Sequence, residues 1–454
     1  MAIPKEGIVQ LPGGRIRGFP AADGQVFRAR GIKYAQAARF EKSELILEWA
    51  GIWDCTKPAT IPPQKPSRLE ALMGPVIEGR DQQEDCLHVS IAAPAKAMSQ
   101  GHQSKLPVMV YFHGGAYLTG GGDLECYEGT ALAGQGAVVA NVTYRLGTFG
   151  YPIKADGEVL NLGLMDQILA LRWVQRNITC FGGDPENVTV FGQSAGADSI
   201  YCMLLLDETK GLFHKAILQS PPMGFRNAPR EALTRRLGEV ADEFLRAQGG
   251  RELSTLDALD RLQGKLLKAT VDFASDSLPF APAYGHAPLP PQDEADAKIR
   301  EFAQRGVPTL ICYTKDDGSA FAQMDKWWAP TFGLPIIGSI CFWVASWLHT
   351  RRLFQWGSHR LHQQLVAAGG KSSMLVFSWC PPGTPWGAVH CIDLPFVLGT
   401  WASWKKAPML RGSESRGVLE RVGPEVRKLF VDFANGADLS GKHFEVNGSF
   451  RYSS

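Results

Sequence analysis

Short apolar runs bounded by turn residues alternate along this chain with segments whose apolar positions recur at helical spacing. The runs at 107–113, 137–144, 187–191, 215–219, 308–313 and 374–379 carry the uninterrupted apolar pattern of strands buried on both faces, as in a parallel sheet. Between them, residues 163–177 set Leu164, Ile168, Leu171 and Val174 or Gln175 on one helical stripe, with Arg172 and Arg176 on another face. Strands alternating with helices predict an α/β fold: a large, mostly parallel central sheet with helices on both faces. No internal repeat is present, so residues 1–454 are expected to form one domain. Residues 226–300 are richer in charge and helix formers and predict a helical insertion over the active site. Residues 329–348 include an apolar run with no charged residue from 331 to 347, interrupted by Gly333, Pro335 and Gly338. A spanning helix needs about 20 apolar residues, so this run predicts a pocket wall, a lid or a buried helix and no stable membrane span.

Composition narrows the class. Of 454 residues, 45% are hydrophobic and 20% charged, and the net charge is only +2, which gives no reason to expect a polyanionic partner. There is no Cys-x-x-Cys pair and no basic stripe, so neither a metal site nor nucleic-acid binding is expected. The first residues lack the basic and apolar regions of a secretory signal. The nine cysteines are odd in number and irregularly spaced, which suits a reducing compartment, so a cytoplasmic protein is expected.

Chemistry concentrates in two motifs. The strand-like Val188-Thr-Val-Phe191 runs into Gly192-Gln-Ser-Ala-Gly196 and then into a helix. So abrupt a strand-to-helix turn strains the serine backbone and exposes its hydroxyl, which makes Ser194 the candidate nucleophile. The second motif is His113-Gly-Gly-Ala-Tyr117, directly after the strand at 107–113. Its glycine-rich turn bares consecutive amides, so Gly115 and Ala116, with the amide of Ala195, form a candidate oxyanion hole. Gly114, Tyr117 and Gln193 flank these groups as candidate substrate contacts. His113 reads as a structural residue.

With these motifs the chain resembles the type-B carboxylesterases and lipases, the family that includes the cholinesterases. The resemblance runs through Gly31-Ile-Lys-Tyr-Ala35, Glu84-Asp-Cys-Leu-His-Val89, the turn at 113–117, Asn141-Val-Thr-Tyr-Arg-Leu-Gly147, Asn161-Leu-Gly-Leu-Met-Asp-Gln167, Phe181-Gly-Gly-Asp-Pro185 and the serine turn. It implies an α/β-hydrolase fold and a serine, acid, histidine order along the chain. His390, in Gly387-Ala-Val-His390, is similar to the family's Gly-x-x-His, and Asp317, in Lys315-Asp-Asp-Gly318, to its second acidic residue, with Asp316 expected to cap the turn. His349, His359 and His362 read as solvated residues on a surface helix.

The implied reaction is acyl transfer through a serine ester, needing no metal or organic cofactor. Departures from the family bear on the substrate. Gln193 stands where glutamate is usual, and Gly74-Pro-Val-Ile77 where cholinesterases carry a tryptophan, so cationic choline esters are not expected. Cys86 lacks its usual partner because Pro62 replaces the family's cysteine, although Cys55 is near in sequence. The expected substrates are carboxylic esters of neutral, fairly apolar small molecules, acted on by a monomer or homodimer. Transfer of the acyl group to another nucleophile, in a biosynthetic acyltransferase or lactonising enzyme, and a non-catalytic binding role on the same fold are the alternatives.

Overall fold

A computed structural model describes residues 7–22, 24–100, 103–227, 230–249, 252–273, 278–335 and 337–453. An eleven-stranded sheet organises the molecule. In chain order its strands are β1 (Phe19–Ala21), β2 (Val26–Lys33), β3 (His88–Pro94), β4 (Leu106–Phe112), β5 (Val138–Val142), β6 (Gly183–Gln193), β7 (Lys215–Gln219), β8 (Thr309–Thr314), β9 (Ser372–Phe377), β10 (His443–Val446) and β11 (Phe450–Ser453). Their spatial order is β11-β10-β9-β8-β7-β6-β4-β5-β3-β2-β1. Strands β4 to β10 are mutually parallel, while β1, β2, β3 and β11 run antiparallel to their neighbours.

Strand β4 shows why the central runs are apolar throughout. Val108, Val110 and Phe112 enter one core, and Met109 and Tyr111 the other. A strand with two buried faces has no polar side to display. Helices α1 (Leu162–Asn177) and α2 (Ala195–Leu204) supply the first core, and α5 (Ser415–Ala434) closes the second. Between β7 and β8 lie α3 (Glu231–Ala247) and further helices at Gly264–Phe273 and Ala295–Gln304, in the region expected to be a helical insertion; residues 228–229, 250–251 and 274–277 of it lie outside the described set.

The apolar run at 331–347 departs from the buried-helix expectation. It forms most of α4 (Gly338–His349), of which only Gly338, Ala345 and Ser346 are buried. Ile340, Trp343, Val344 and Trp347, spaced as one helical stripe, face outward, Ile340 at 62% exposure. Its inner side leans on the short helix Ser319–Ala322 behind the Asp317 turn, and Gly318 N donates to Thr350 Oγ1 at 2.8 Å. No described helix is long and apolar enough to cross a membrane. No disulfide joins the nine cysteines, and Cys55 and Cys86 are both free and buried.

Candidate active site

Parallel strands deliver their carboxyl ends to one edge of the sheet, and the candidate residues collect there. Ser194 follows β6, Asp317 follows β8, His390 lies on the loop after β9, and the glycine-rich turn follows β4. The backbone of Ser194 has φ 55° and ψ −120°, a strained conformation for a residue with a side chain. Close packing dictates the flanking glycine, since a Cβ on Gly196 would fall 1.9 Å from the carbonyl oxygen of Phe112. Ser194 N is held by the Gln219 carbonyl at 2.8 Å.

Asp317 and His390, fully buried, meet with Nδ1 of the imidazole 2.7 Å from Oδ1 of the carboxylate. Oδ2 of Asp317 accepts from Ser220 Oγ at 2.8 Å and from Thr314 N at 2.9 Å, so the carboxylate is fixed from three sides. The rings of Phe321 and Phe354 enclose the imidazole at 5.3 and 4.9 Å. Nε2 of His390 lies 3.1 Å from Gln193 Nε2. Two nitrogens bond only if one is unprotonated: with Nδ1–H directed at Asp317, Nε2 accepts and the Gln193 amide donates. Ser194 makes no hydrogen bond to Nε2 among the described contacts. It faces the same small cavity, of about 20 Å³, that His390 and Gln193 line.

Asp316 ties this acid turn to the histidine loop. Its Oδ2 accepts from Ala388 N at 2.8 Å, and its own N–H donates to the Ala388 carbonyl at 2.9 Å. Deeper in, Asp393 accepts from Gln219 Nε2 at 2.6 Å, and burial followed by the charge of Asp317 pushes its carboxyl up to about 6.

The glycine-rich turn is built for exposed amides. Gly115, Ala116 and Tyr117 all have positive φ, of 114°, 55° and 60°. Neither the Gly115 nor the Ala116 amide is spent on a backbone hydrogen bond among the described residues. The Ala195 amide opens α2, where the first N–H groups have no acceptor within the helix. The turn is pinned by Gln64, whose amide donates to the Gly120 carbonyl at 2.8 Å and accepts from Gly120 N at 2.6 Å. His113 is structural: it lies between Tyr127 and Tyr144, and burial pushes it down to about 4.

Of the candidate substrate contacts, Gly114 and Gln193 line the Ser194 cavity, and Tyr117 does not. Tyr117 is fully buried, its hydroxyl donating to Asp198 at 2.6 Å, because its positive φ turns the ring beneath the loop. The three histidines read as solvated are half-buried and partnered: His349 with Asp325 at 3.2 Å, His359 with Tyr313 at 3.3 Å and His362 with Ser372 at 2.9 Å. The wall of the Ser194 cavity is also not the 331–347 segment. It comes in part from residues 67–76, including Leu69, Met73 and Val76; of these the sequence marks only 74–76, for lacking the tryptophan of the cholinesterases.

A strained serine at a strand-to-helix elbow, a carboxylate-held imidazole facing the same cavity and an adjoining turn of free amides together define a serine hydrolase of the α/β-hydrolase fold. Residues 5–328 match the Carboxylesterase family, and the chain belongs to it. It is 35% identical over 438 residues to a probable N-octanoylanthranilate hydrolase of Rhodococcus erythropolis, covering 95% of this chain and 93% of that protein. To the para-nitrobenzyl esterase of Bacillus subtilis (strain 168) it is 34% identical over 465 residues, covering 95% and 90%. Among solved structures, a thermophilic PNB esterase superposes with a TM-score of 0.78 at 28% identity, covering 99% of this chain and 97% of that one. The chain is a carboxylic-ester hydrolase that acts on small-molecule esters. Acyl transfer to another nucleophile is not favoured, since these relatives are named as hydrolases and esterases.

Proposed function

We propose that Ser194 attacks the ester carbonyl with His390 as general base and Asp317 holding the imidazole in its Nδ1–H tautomer. The oxyanion of the tetrahedral intermediate rests on the amides of Gly115, Ala116 and Ala195. Alcohol leaves with the proton returned by His390, and water activated by the same base then releases the acid. The observation that carries this reading is the 2.7 Å contact between His390 and Asp317, with Ser194 strained toward the same cavity. Leu69, Met73 and Val76 on the cavity wall support apolar acyl groups on uncharged reacting carbonyls.

Purified protein is expected to hydrolyse p-nitrophenyl esters of graded acyl length to free acid and to be labelled by a fluorophosphonate. Ser194→Ala is expected to abolish labelling and lower kcat by about 10³-fold or more while unfolding like the parent. Absence of both turnover and labelling in the parent would refute the assignment of roles.

A further inference from the structure

One helical turn beyond the serine, Asp198 sits where two structures meet. Its N–H donates to the Ser194 carbonyl at 2.9 Å, and its carboxylate accepts from Tyr117 of the oxyanion turn at 2.6 Å. The same carboxylate takes a two-pronged contact from Arg226, through Nε and, at 2.7 Å, through Nη2. The Arg226 guanidinium lies over the rings of Tyr201 and Tyr284, 5.6 and 5.1 Å from their centres. Beside it is a second guanidinium, that of Arg230. Nη1 of Arg230 donates to the carbonyls of Ala281 and Pro282 at 3.2 and 3.1 Å, and Nη2 to those of Leu278 and Pro279 at 2.9 and 3.3 Å.

Both arginines line a cavity of about 550 Å³, far larger than the space at Ser194. Its inner end holds two guanidinium charges and one carboxylate, Asp198. The Nε–H of Arg230 is buried and has no hydrogen-bond partner among the described residues. Burial, and then the charge of Arg226, pushes Arg230 down to about 10, which leaves it cationic and short of a counter-ion at neutral pH. The other charged groups of the lining, Asp156, Glu231 and Arg235, stand at the exposed rim, where water screens them, and Glu231 already pairs with Arg235 at 2.9 Å. The lining also carries Phe225 and Tyr284, so a charged head here adjoins an apolar wall.

We propose that this cavity binds an organic carboxylate, held by the paired charge of the Arg226 and Arg230 guanidiniums, with its carbon body on Phe225 and Tyr284. Two guanidiniums against one carboxylate on the wall of an open volume are the chemistry that selects a carboxylate over a neutral group of the same size. The assignment rests on the ester-hydrolase reading for its biological sense, because every turnover releases a carboxylate and an ester substrate can carry a second one. Two chains of side-chain contacts lead from the cavity wall toward the reacting groups. Phe225 packs on Phe321 at 6.4 Å, which packs on His390, and Asp198 links Arg226 to Tyr117 in the oxyanion turn.

Calorimetric titration of the unmodified protein with octanoate and with octanamide tests the site directly. Octanoate is expected to bind at least about tenfold more tightly, and Arg230→Gln to remove that difference. Arg230→Lys, which keeps the charge but not the guanidinium, is expected to lie between. Equal binding of the two compounds to the unmodified protein overturns the proposal even if Arg230→Gln does not fold. Two substrates of matched length, p-nitrophenyl hexanoate and the mono-p-nitrophenyl ester of adipic acid, separate the sources of the carboxylate. If the substrate's own carboxylate occupies the site, the adipate ester has the higher kcat/KM and loses that advantage in Arg230→Gln. If the free acid occupies it, octanoate alters hydrolysis of the neutral ester and the two esters are matched. Failure to turn over either ester would sink the hydrolase reading, while octanoate binding is still measured on the same protein.

Discussion

The amide of Gln193 occupies the nitrogen that the proposed mechanism needs. Nε2 of His390 has one lone pair, and the Gln193 amide donates into it at 3.1 Å, so the serine proton can be taken only as this bond is shared or released. A carboxylate at the same place would do the opposite of an amide donor: it would favour the imidazolium, and more alkali would be needed to free the base. Gln193→Glu is therefore expected to move the acid limb of the pH profile of kcat/KM upward by about one unit, with the fold intact. A limb that stays in place would mean that residue 193 does not reach the base in solution. The motif made Gln193 visible from the sequence, and so were Ser194, Asp317 and His390. The partnership of Gln193 with His390 was not, because it joins groups 197 residues apart and depends on how two loops pack. The same holds for Asp393 and Gln219, ordinary residues until the fold sets them 2.6 Å apart.

Among the elements, the buried strands were the most legible, because a strand covered on both faces writes its burial as an unbroken apolar run. The boundaries agree to within a few residues; β4, for example, spans Leu106–Phe112 against an expected 107–113. The run at 331–347 shows where that signal fails. An all-apolar segment has no polar stripe to orient it, so the pattern could not tell that Ile340, Trp343, Val344 and Trp347 face outward while Ala345 and Ser346 pack inward. Segment 67–76 was legible only in part: Leu69, Leu72, Met73 and Val76 recur at helical spacing over too short a stretch to predict an element, and the absence of a tryptophan at 74–77 did not show that the segment covers Ser194. A cavity of about 20 Å³ holds about one water, so an ester must push this wall aside. Shortening Met73 should lower that cost. Met73→Ala is expected to raise kcat/KM for p-nitrophenyl octanoate relative to the acetate by about three- to tenfold, read from initial rates on the two esters. An unchanged ratio would show that acyl length is limited elsewhere.

At the scale of the whole molecule, buried titratable groups set how the fold responds to acid. Burial pushes His88 and His113 down to about 4 from 6.5, so the fold keeps both neutral where the unfolded chain would charge them. As pH falls from about 6.5 toward 4 the unfolded state binds up to two more protons through these groups, and stability falls with it. Asp393 works the other way. The fold holds its proton up to about 6, whereas the unfolded chain releases it near 3.8, so between those values the folded state carries one proton more. Each proton is worth about 1.4 kcal/mol per pH unit, and the Asp393 contribution cancels that of one histidine. Asp393→Asn keeps an acceptor for the Gln219 amide and removes the offset. Its unfolding free energy, from urea titrations at pH 4.5 to 5.5, is expected to drop more steeply with acidity than the parent's, by about 1.4 kcal/mol per pH unit. Parallel slopes in the two proteins would mean that Asp393 is ionised in the fold, and that a second negative charge stands behind the Asp317–His390 pair throughout this range.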